Sequence, residues 1–301
     1  MAQGEWEATR EFIEAGLTIL EQENPMTVRQ LFYRLVSAGL IPNSHREYCR
    51  VSRLMTKARR DERCPFEWLV DRSRPTYEPN VFENPQDYAE VIKRSYRRDY
   101  WGMQPNYVEI WCEKDAVIGS IENLTGELGV TLRVSRGFMS ATRVNDIARH
   151  LNSVKKPKTV FYLGDHDPSG RGIQDSAYEK VQHRAYELCP LVGDAFEGVP
   201  FFELERVAIH EGDIAEFNLP PLRMKTDEAG EFTDSRAKRF LAEFNGDCIE
   251  LDALPPTELR RRIREAIESK LDRTAWKRAI EIEGVELRSI VETVSAWRPT
   301  A

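Results

Sequence analysis

The sequence predicts an α/β protein, with a mainly parallel sheet covered by helices on both faces and a basic winged helix-turn-helix domain in front of it. Three observations predict this. Between residues 107 and 188 short apolar runs alternate with helical patterns, and such alternation needs crossovers that leave the strands parallel and the helices on the sheet faces. Upstream, Thr27-Val28-Arg29-Gln30 and Ser44-His45-Arg46-Glu47 are capping-box signatures, each opening a run with apolar residues at helical spacing. Charge is also divided unevenly. Residues 29–63 hold nine Arg or Lys against three Asp or Glu, while the remainder holds 34 against 47, so a formal charge of -7 hides an electropositive module joined to an acidic one.

With 301 residues, 41% apolar and 31% charged, the chain is long enough for two modest cores and not biased enough for disorder. The expected division is an N-terminal helix (1–24), a winged-helix domain (25–101), an α/β domain with an extension (106–272) and a C-terminal helix (273–301). No apolar run approaches the ~20 residues that span a bilayer, and Met1 to Glu7 lacks a signal peptide's basic and apolar segments. A cytoplasmic protein without a membrane partner is expected. The five cysteines are odd in number and never spaced Cys-x-x-Cys, which supports neither a disulfide framework nor a zinc ribbon.

Taken in order, residues 5–23 carry Trp6, Ile13, Leu17 and Leu20 at near-helical spacing and stop at Asn24-Pro25. The next helix runs from Thr27 to about Ala38, with Gly39 as its stop and Val28, Leu31, Phe32 and Leu35 as its apolar stripe. Tyr33 lies off that stripe, one turn from Arg29. On the third helix Tyr48, Val51, Met55 and Ala58 form the apolar side. Its other face is Arg46, Arg50, Arg53, Lys57 and Arg60 with few acids nearby, the pattern of a surface that tracks the phosphates of double-stranded DNA. Pro65 to Val70 reads as a short strand and Asp71 to Pro75 as a basic turn, completing the winged arrangement with its second helix toward the major groove. Asn84-Pro85 opens a helix ending in Arg97 to Trp101, and Gly102 to Asn106 forms a linker. Strands are expected at 107–112, 130–134 and 158–163, with helices near 115–125, 141–151 and 171–188. Phe202 to Ile209 and Cys248 to Leu251 read as added strands. Glu250 and Asp252 can either join an acidic site or cap a helix from Arg260 to Leu271, and the cap is favoured.

The chemistry is concentrated in Val160 to Gly170, an apolar strand that stops at two carboxylates one residue apart. Asp165 and Asp167 point the same way, and carboxylates about 4 Å apart repel by roughly 4 kcal/mol at an effective dielectric near 20. A hard cation relieves that repulsion; an Asx-turn closed by Pro168 and Gly170 is the plainer alternative. Tyr107 to Cys112 runs straight into Glu113-Lys114-Asp115, so Glu113 can stand beside the aspartates.

A strand ending in Glu, followed two strand-helix units later by a strand ending in Asp-x-Asp, resembles the Toprim domain of topoisomerases, primases and related nucleases. That resemblance makes Glu113, Asp165 and Asp167 the Mg²⁺-binding acids. It also makes Ser135-Arg136-Gly137-Phe138 through Arg143 the domain's glycine-containing loop, with Arg136 on the DNA. Thr27 to Tyr33 is similar to the Arg-x-x-(Tyr/Phe)-Tyr motif in the winged-helix domain of the topoisomerase VI A subunit and its relative, the meiotic double-strand-break transesterase. The domain order matches as well. The implied function is type IIB topoisomerase-like, Mg²⁺-dependent DNA cleavage in which Tyr33 attacks a phosphodiester and becomes a 5′-phosphotyrosine, assisted by Arg29. The family completes each site from two protomers, which implies a homodimer, and strand passage implies a separate ATPase subunit because no nucleotide-binding glycine loop is present. Two other functions fit the same residues: a Toprim nuclease using water, in phage biology or defence, and a non-catalytic DNA-binding protein.

Overall fold

The computed structural model describes residues 3–70, 79–189, 200–224 and 226–297. The basic turn read at Asp71 to Pro75 lies outside the described residues. The chain opens with α1 (Gln3–Glu23), α2 (Val28–Ser37) and α3 (His45–Arg60), then α4 (Pro85–Ser95). The sheet region is β1 (Tyr107–Cys112), α5 (Ile118–Glu127), β2 (Thr131–Val134), α6 (Ala141–Ser153), β3 (Lys158–Leu163), α7 (Pro168–Leu188) and β4 (Glu203–Ala208). Short α8 (Asp213–Glu216) and α9 (Ala237–Glu243) follow, and α10 (Pro256–Ser269) and α11 (Arg273–Ser295) complete the order.

All four strands are parallel in the order β2-β1-β3-β4. Their side chains alternate between two cores, as a period of two requires. Val108, Ile110, Cys112, Phe161 and Leu163 pack with α5 and α10, whereas Trp111, Val160 and Tyr162 pack with α6 and α7. Helices therefore cover both faces, as the alternation predicts. The strand order places the topological switch between β1 and β3, the point in open α/β sheets where ligands bind at the carboxyl ends.

The N-terminal helices do not close a separate core. Leu31, Val51 and Met55 belong to the same apolar cluster as Ile110, Ile121 and Leu259. Arg260 on α10 reinforces this junction by donating to the carbonyls of Glu23, Asn24 and Pro25 ahead of α2 and to that of Ser120 on α5. The expected linker is likewise pinned. Gln104 exchanges hydrogen bonds with the backbone of Asp272, at 3.2 and 2.7 Å, and Asn106 donates to Lys270.

Three expected elements differ. Residues 65–70 form a single 3-10 turn (Phe66–Trp68) and one bridge from Leu69 to Met26, not a strand. Met26 sits between Pro25 and the N-cap Thr27, so the partner ladder cannot lengthen. The helix at Asn84-Pro85 ends at Ser95, because Arg98 and Tyr96 are drawn onto Glu283 and Glu286 of α11. Cys248 and Ile249 make only isolated bridges, to Leu222 and His166, and Leu251–Ala253 coil into a 3-10 turn that Pro255 and Pro256 prevent from extending as a strand.

Candidate functional site

β1 and β3 end side by side, in the register Cys112 against Leu163, and release Glu113 and Asp165 at the switch point. Gly164 permits the close approach. A Cβ there would lie 2.9 Å from Glu113 Oε2, which instead accepts the Asp165 N–H at 3.2 Å. Burial, and then the neighbouring Asp165 charge, push the Glu113 carboxyl up to about 7. Burial also raises Asp165, against the pull of Lys114. Asp167 is the N-cap of α7, with Oδ1 accepting from Gly170 N–H at 2.6 Å. The Asx-type turn and the acidic pair are thus both present. Each of the three acids uses an oxygen on a backbone N–H, and among the described residues no three His, Cys, Asp or Glu side chains already surround one point as metal ligands do.

The strongest convergence is on a residue the sequence did not single out. Lys114 Nζ lies 2.9 Å from Asp165 Oδ2 and 3.2 Å from both Glu250 Oε2 and Asp252 Oδ2. Although burial opposes its charge, the three carboxylates hold its pKa above the ordinary lysine value. Glu250 and Asp252 therefore join the acidic centre and do not cap α10, whose first turn begins at Pro256 without a side-chain cap. The backbone joins them there, since Leu251 N–H donates to Asp165 Oδ1 at 2.8 Å. The spacing of Glu250-Leu251-Asp252, two acids one residue apart, is the same signal that marks Asp165 and Asp167, and Lys114 is next to Glu113 in sequence.

Tyr33 and Arg29 meet this network from α2. Tyr33 is 4% exposed, not displayed on a free helix face. The polar side of α2 is covered by the 251–253 turn and by α5, where Gln30 reaches Ser120, so the amphipathic stripe understates what the helix buries. Burial and then Glu250 raise the phenol's pKa, while Arg29 lowers it from 5.8 Å above the ring. The Arg29 guanidinium lies 2.6 Å from Glu250. One chain thus contains a continuous path from Tyr33 through Arg29, Glu250 and Lys114 to Asp165. The resemblance expects the tyrosine to meet a partner's acids; within one chain Tyr33 is linked to Glu250 through Arg29.

On α3, Arg46, Arg53, Lys57 and Arg60 are exposed. Arg50 departs from this face, lying 4.6 Å over the Phe12 ring and 3.2 Å from Glu47. Arg136 is exposed at φ 50° and paired with Asp115 at 2.8 Å, and its N–H extends the β1 edge by donating to Glu113 O.

Between the two aspartates, His166 is fully buried against Phe240 and Phe244, and Arg171 Nη2 donates to its Nδ1 at 3.0 Å. The ring is therefore neutral with its proton on Nε2. Burial and then Arg171 and Arg206 lower its pKa to about 4. The neutral ring favours the fold above the unfolded value near 6.5, and this contribution is lost as pH falls toward 4, amounting to about 3 kcal/mol. Chemical denaturation between pH 7 and pH 4 should show a steeper loss for the natural chain than for His166→Gln; equal slopes would exclude this source of acid sensitivity.

The fold and site define an α/β protein with an acidic centre at the sheet's switch point. No protein-family model matches the chain, and no curated protein matches it in sequence.

Proposed function

We propose that the chain is a metal-dependent, DNA-cleaving transesterase of the topoisomerase VI A type, with a winged-helix module on α2 and α3 and a Toprim centre at the β1 and β3 ends. The observation that carries this reading is the connected path from Tyr33 and Arg29 to Asp165, which joins two motifs about 130 residues apart in one network. The carboxylate oxygens of Glu113, Asp165 and Asp167 are of the type that suits a hard cation such as Mg²⁺, and the Glu113 pKa is raised by burial first and then by the repulsion of Asp165 that such an ion would relieve. When bound, the ion supplies charge neutralisation at the phosphate and at the departing oxygen. In the reaction the Tyr33 phenol gives up its proton, its oxygen forms a bond to phosphorus, the bond to the 3′-oxygen breaks, and that oxygen takes up a proton to leave a 3′-hydroxyl beside a 5′-phosphotyrosine. Arg29 is the cation available to stabilise the phenolate and orient the phosphate.

Within one chain Tyr33 connects to Asp165 through Arg29, Glu250 and Lys114. Cutting both strands of a duplex still calls for two centres, hence a homodimer, and strand passage for a separate ATPase subunit. The test is covalent trapping. Protein incubated with supercoiled DNA and Mg²⁺, denatured and digested with nuclease, should retain nucleotide on Tyr33. A second reading, hydrolysis by water at the same acids, is favoured by the burial of Tyr33 and its raised pKa. It predicts nicking without an adduct.

DNA contact by α3 is open to an independent measurement. Replacing Arg53 and Arg60 with Ala should each lower the slope of log K against log salt by roughly 0.9. Arg50→Ala should instead lower stability and leave the slope nearly unchanged, because its guanidinium packs on Phe12. Unchanged slopes in the first two variants would take this face out of the DNA interface.

A further inference from the structure

We propose that α4 is a dimerisation helix: two copies of this chain pair through its outer face, antiparallel about a two-fold axis at Val91. The pairing does not depend on the chemistry of the acidic centre, although a second copy supplies the second centre that cutting both strands calls for. α4 is weakly rooted in its own chain. Of its 11 residues only Ala89 is buried, whereas a helix of this length draws most of its stability from a packed face. Gln86 and Tyr96, on the same side as Ala89, hydrogen-bond Trp297 O and Glu286 at α11. At 100° per residue Asp87, Val91 and Arg94 lie within about 60° of one another and about 140° or more from Ala89, so they form the side turned away from α11.

That side is apolar at its middle and oppositely charged at its ends. Val91 and Tyr88 are 43% and 45% exposed, and Tyr88 continues into the exposed rings of Phe82 and Trp297, with centroids 4.8 and 6.4 Å away. An apolar group of this kind on a surface marks contact with another molecule. The charges say which. Glu83, Asp87 and Glu90 are exposed before Val91, and Arg94 and Arg97 after it. Several of these charges are engaged within the chain: Lys93 holds Glu90 at 2.8 Å, Arg97 lies 3.7 Å from Glu283, and Asp87 accepts from the Asn84 amide. Glu83 and Arg94 have no hydrogen bond or ion pair among the described residues. An acid-apolar-base order complements itself when a helix meets its own copy antiparallel, and a two-fold axis makes every such contact twice. Asp87 stands about 6 Å along the helix to one side of Val91 and Arg94 about 4.5 Å to the other, so each Asp87 comes opposite the Arg94 of the second copy. A parallel copy would set acid on acid.

Sedimentation equilibrium on the full chain, with circular dichroism to verify folding, reads the pairing directly. The natural chain should be a dimer at micromolar concentration. Val91→Glu brings two carboxylates together at the axis and should weaken the dimer by at least about 100-fold. Asp87→Arg and Arg94→Asp each create two like-charge pairs, and each alone should weaken it to a similar degree. Mixed in equal amounts, these two variants should form a heterodimer, because each offers the charge the other has lost, and the double variant Asp87→Arg/Arg94→Asp should regain the homodimer. Should Asp87→Arg unwind the first turn of α4, Val91→Glu decides. A monomeric natural chain, a folded Val91→Glu as dimeric as the natural chain, single charge variants with unchanged association, or a folded pair that stays monomeric when mixed would each overturn the proposal. None of these outcomes touches the cleavage chemistry, which covalent trapping tests separately.

Discussion

Tyr33→Phe should leave a folded protein that binds DNA with nearly natural affinity and forms no covalent adduct, a loss of at least about 10³-fold in trapped product. The substitution deletes one oxygen from a buried ring whose neighbours are Phe32 at 5.2 Å between centroids and the Arg29 guanidinium, so packing is kept. What is lost is the atom proposed to form the bond to phosphorus. Since the surrounding burial and Glu250 hold the phenol above its ordinary pKa, the proposed cleavage by the natural protein should also be faster in mildly alkaline than in neutral solution, and the variant should lack that dependence. Denaturing gels of radiolabelled DNA measure the adduct directly. Undiminished adduct in Tyr33→Phe would exclude the assignment, while natural nicking without adduct in either protein would transfer the chemistry to water.

The second large effect is expected from Asp165→Asn. Asp165 lies at the middle of the centre, touching Lys114 through one oxygen and the Leu251 N–H through the other. The amide keeps the shape but removes the charge, so Lys114 loses its nearest carboxylate and the proposed cation site loses a ligand. Cleavage should fall by about 10³-fold or more, with DNA affinity changed by less than about threefold, because the proposed phosphate contacts lie on the basic face of α3. Chelation of the metal should have the same signature in the natural protein. Full-rate cleavage by Asp165→Asn, or in excess chelator, would reject an acid-held metal; parallel loss of cleavage and binding would point to a structural role for the aspartate instead.

Much of this architecture is legible in the sequence because it is written in local patterns. The alternating runs at 107–112 and 158–163 coincide with β1 and β3, and the Thr27 to Gln30 capping box is present with both of its hydrogen bonds. Glu113 and Asp165 can be paired from the sequence because both follow strands directly. Illegible residues depend on distant covering. Tyr33 reads as a flank residue since nothing local announces that the 251–253 turn will lie over α2. Lys114 reads as one more surface lysine since its three partners come from two remote segments. The 65–70 run has strand composition, yet a strand needs a partner ladder, and Met26 offers only one position.

Arg260 gives the junction between the halves a meaning beyond stability. A recombination event at residues 102–106, the place where sequence alone would divide the chain, would give Arg260 three foreign carbonyl positions to satisfy, those of residues 23–25, and would expose the apolar cluster shared by α2, α3 and α5. A homologous α2–α3 module from elsewhere would fit only if it brought the same loop at residues 23–25. The tyrosine module and the acidic module are therefore exchangeable only as one unit, and substitution is cheapest on solvent-facing positions such as Arg53 and Arg60 of α3, which lie outside the shared cluster.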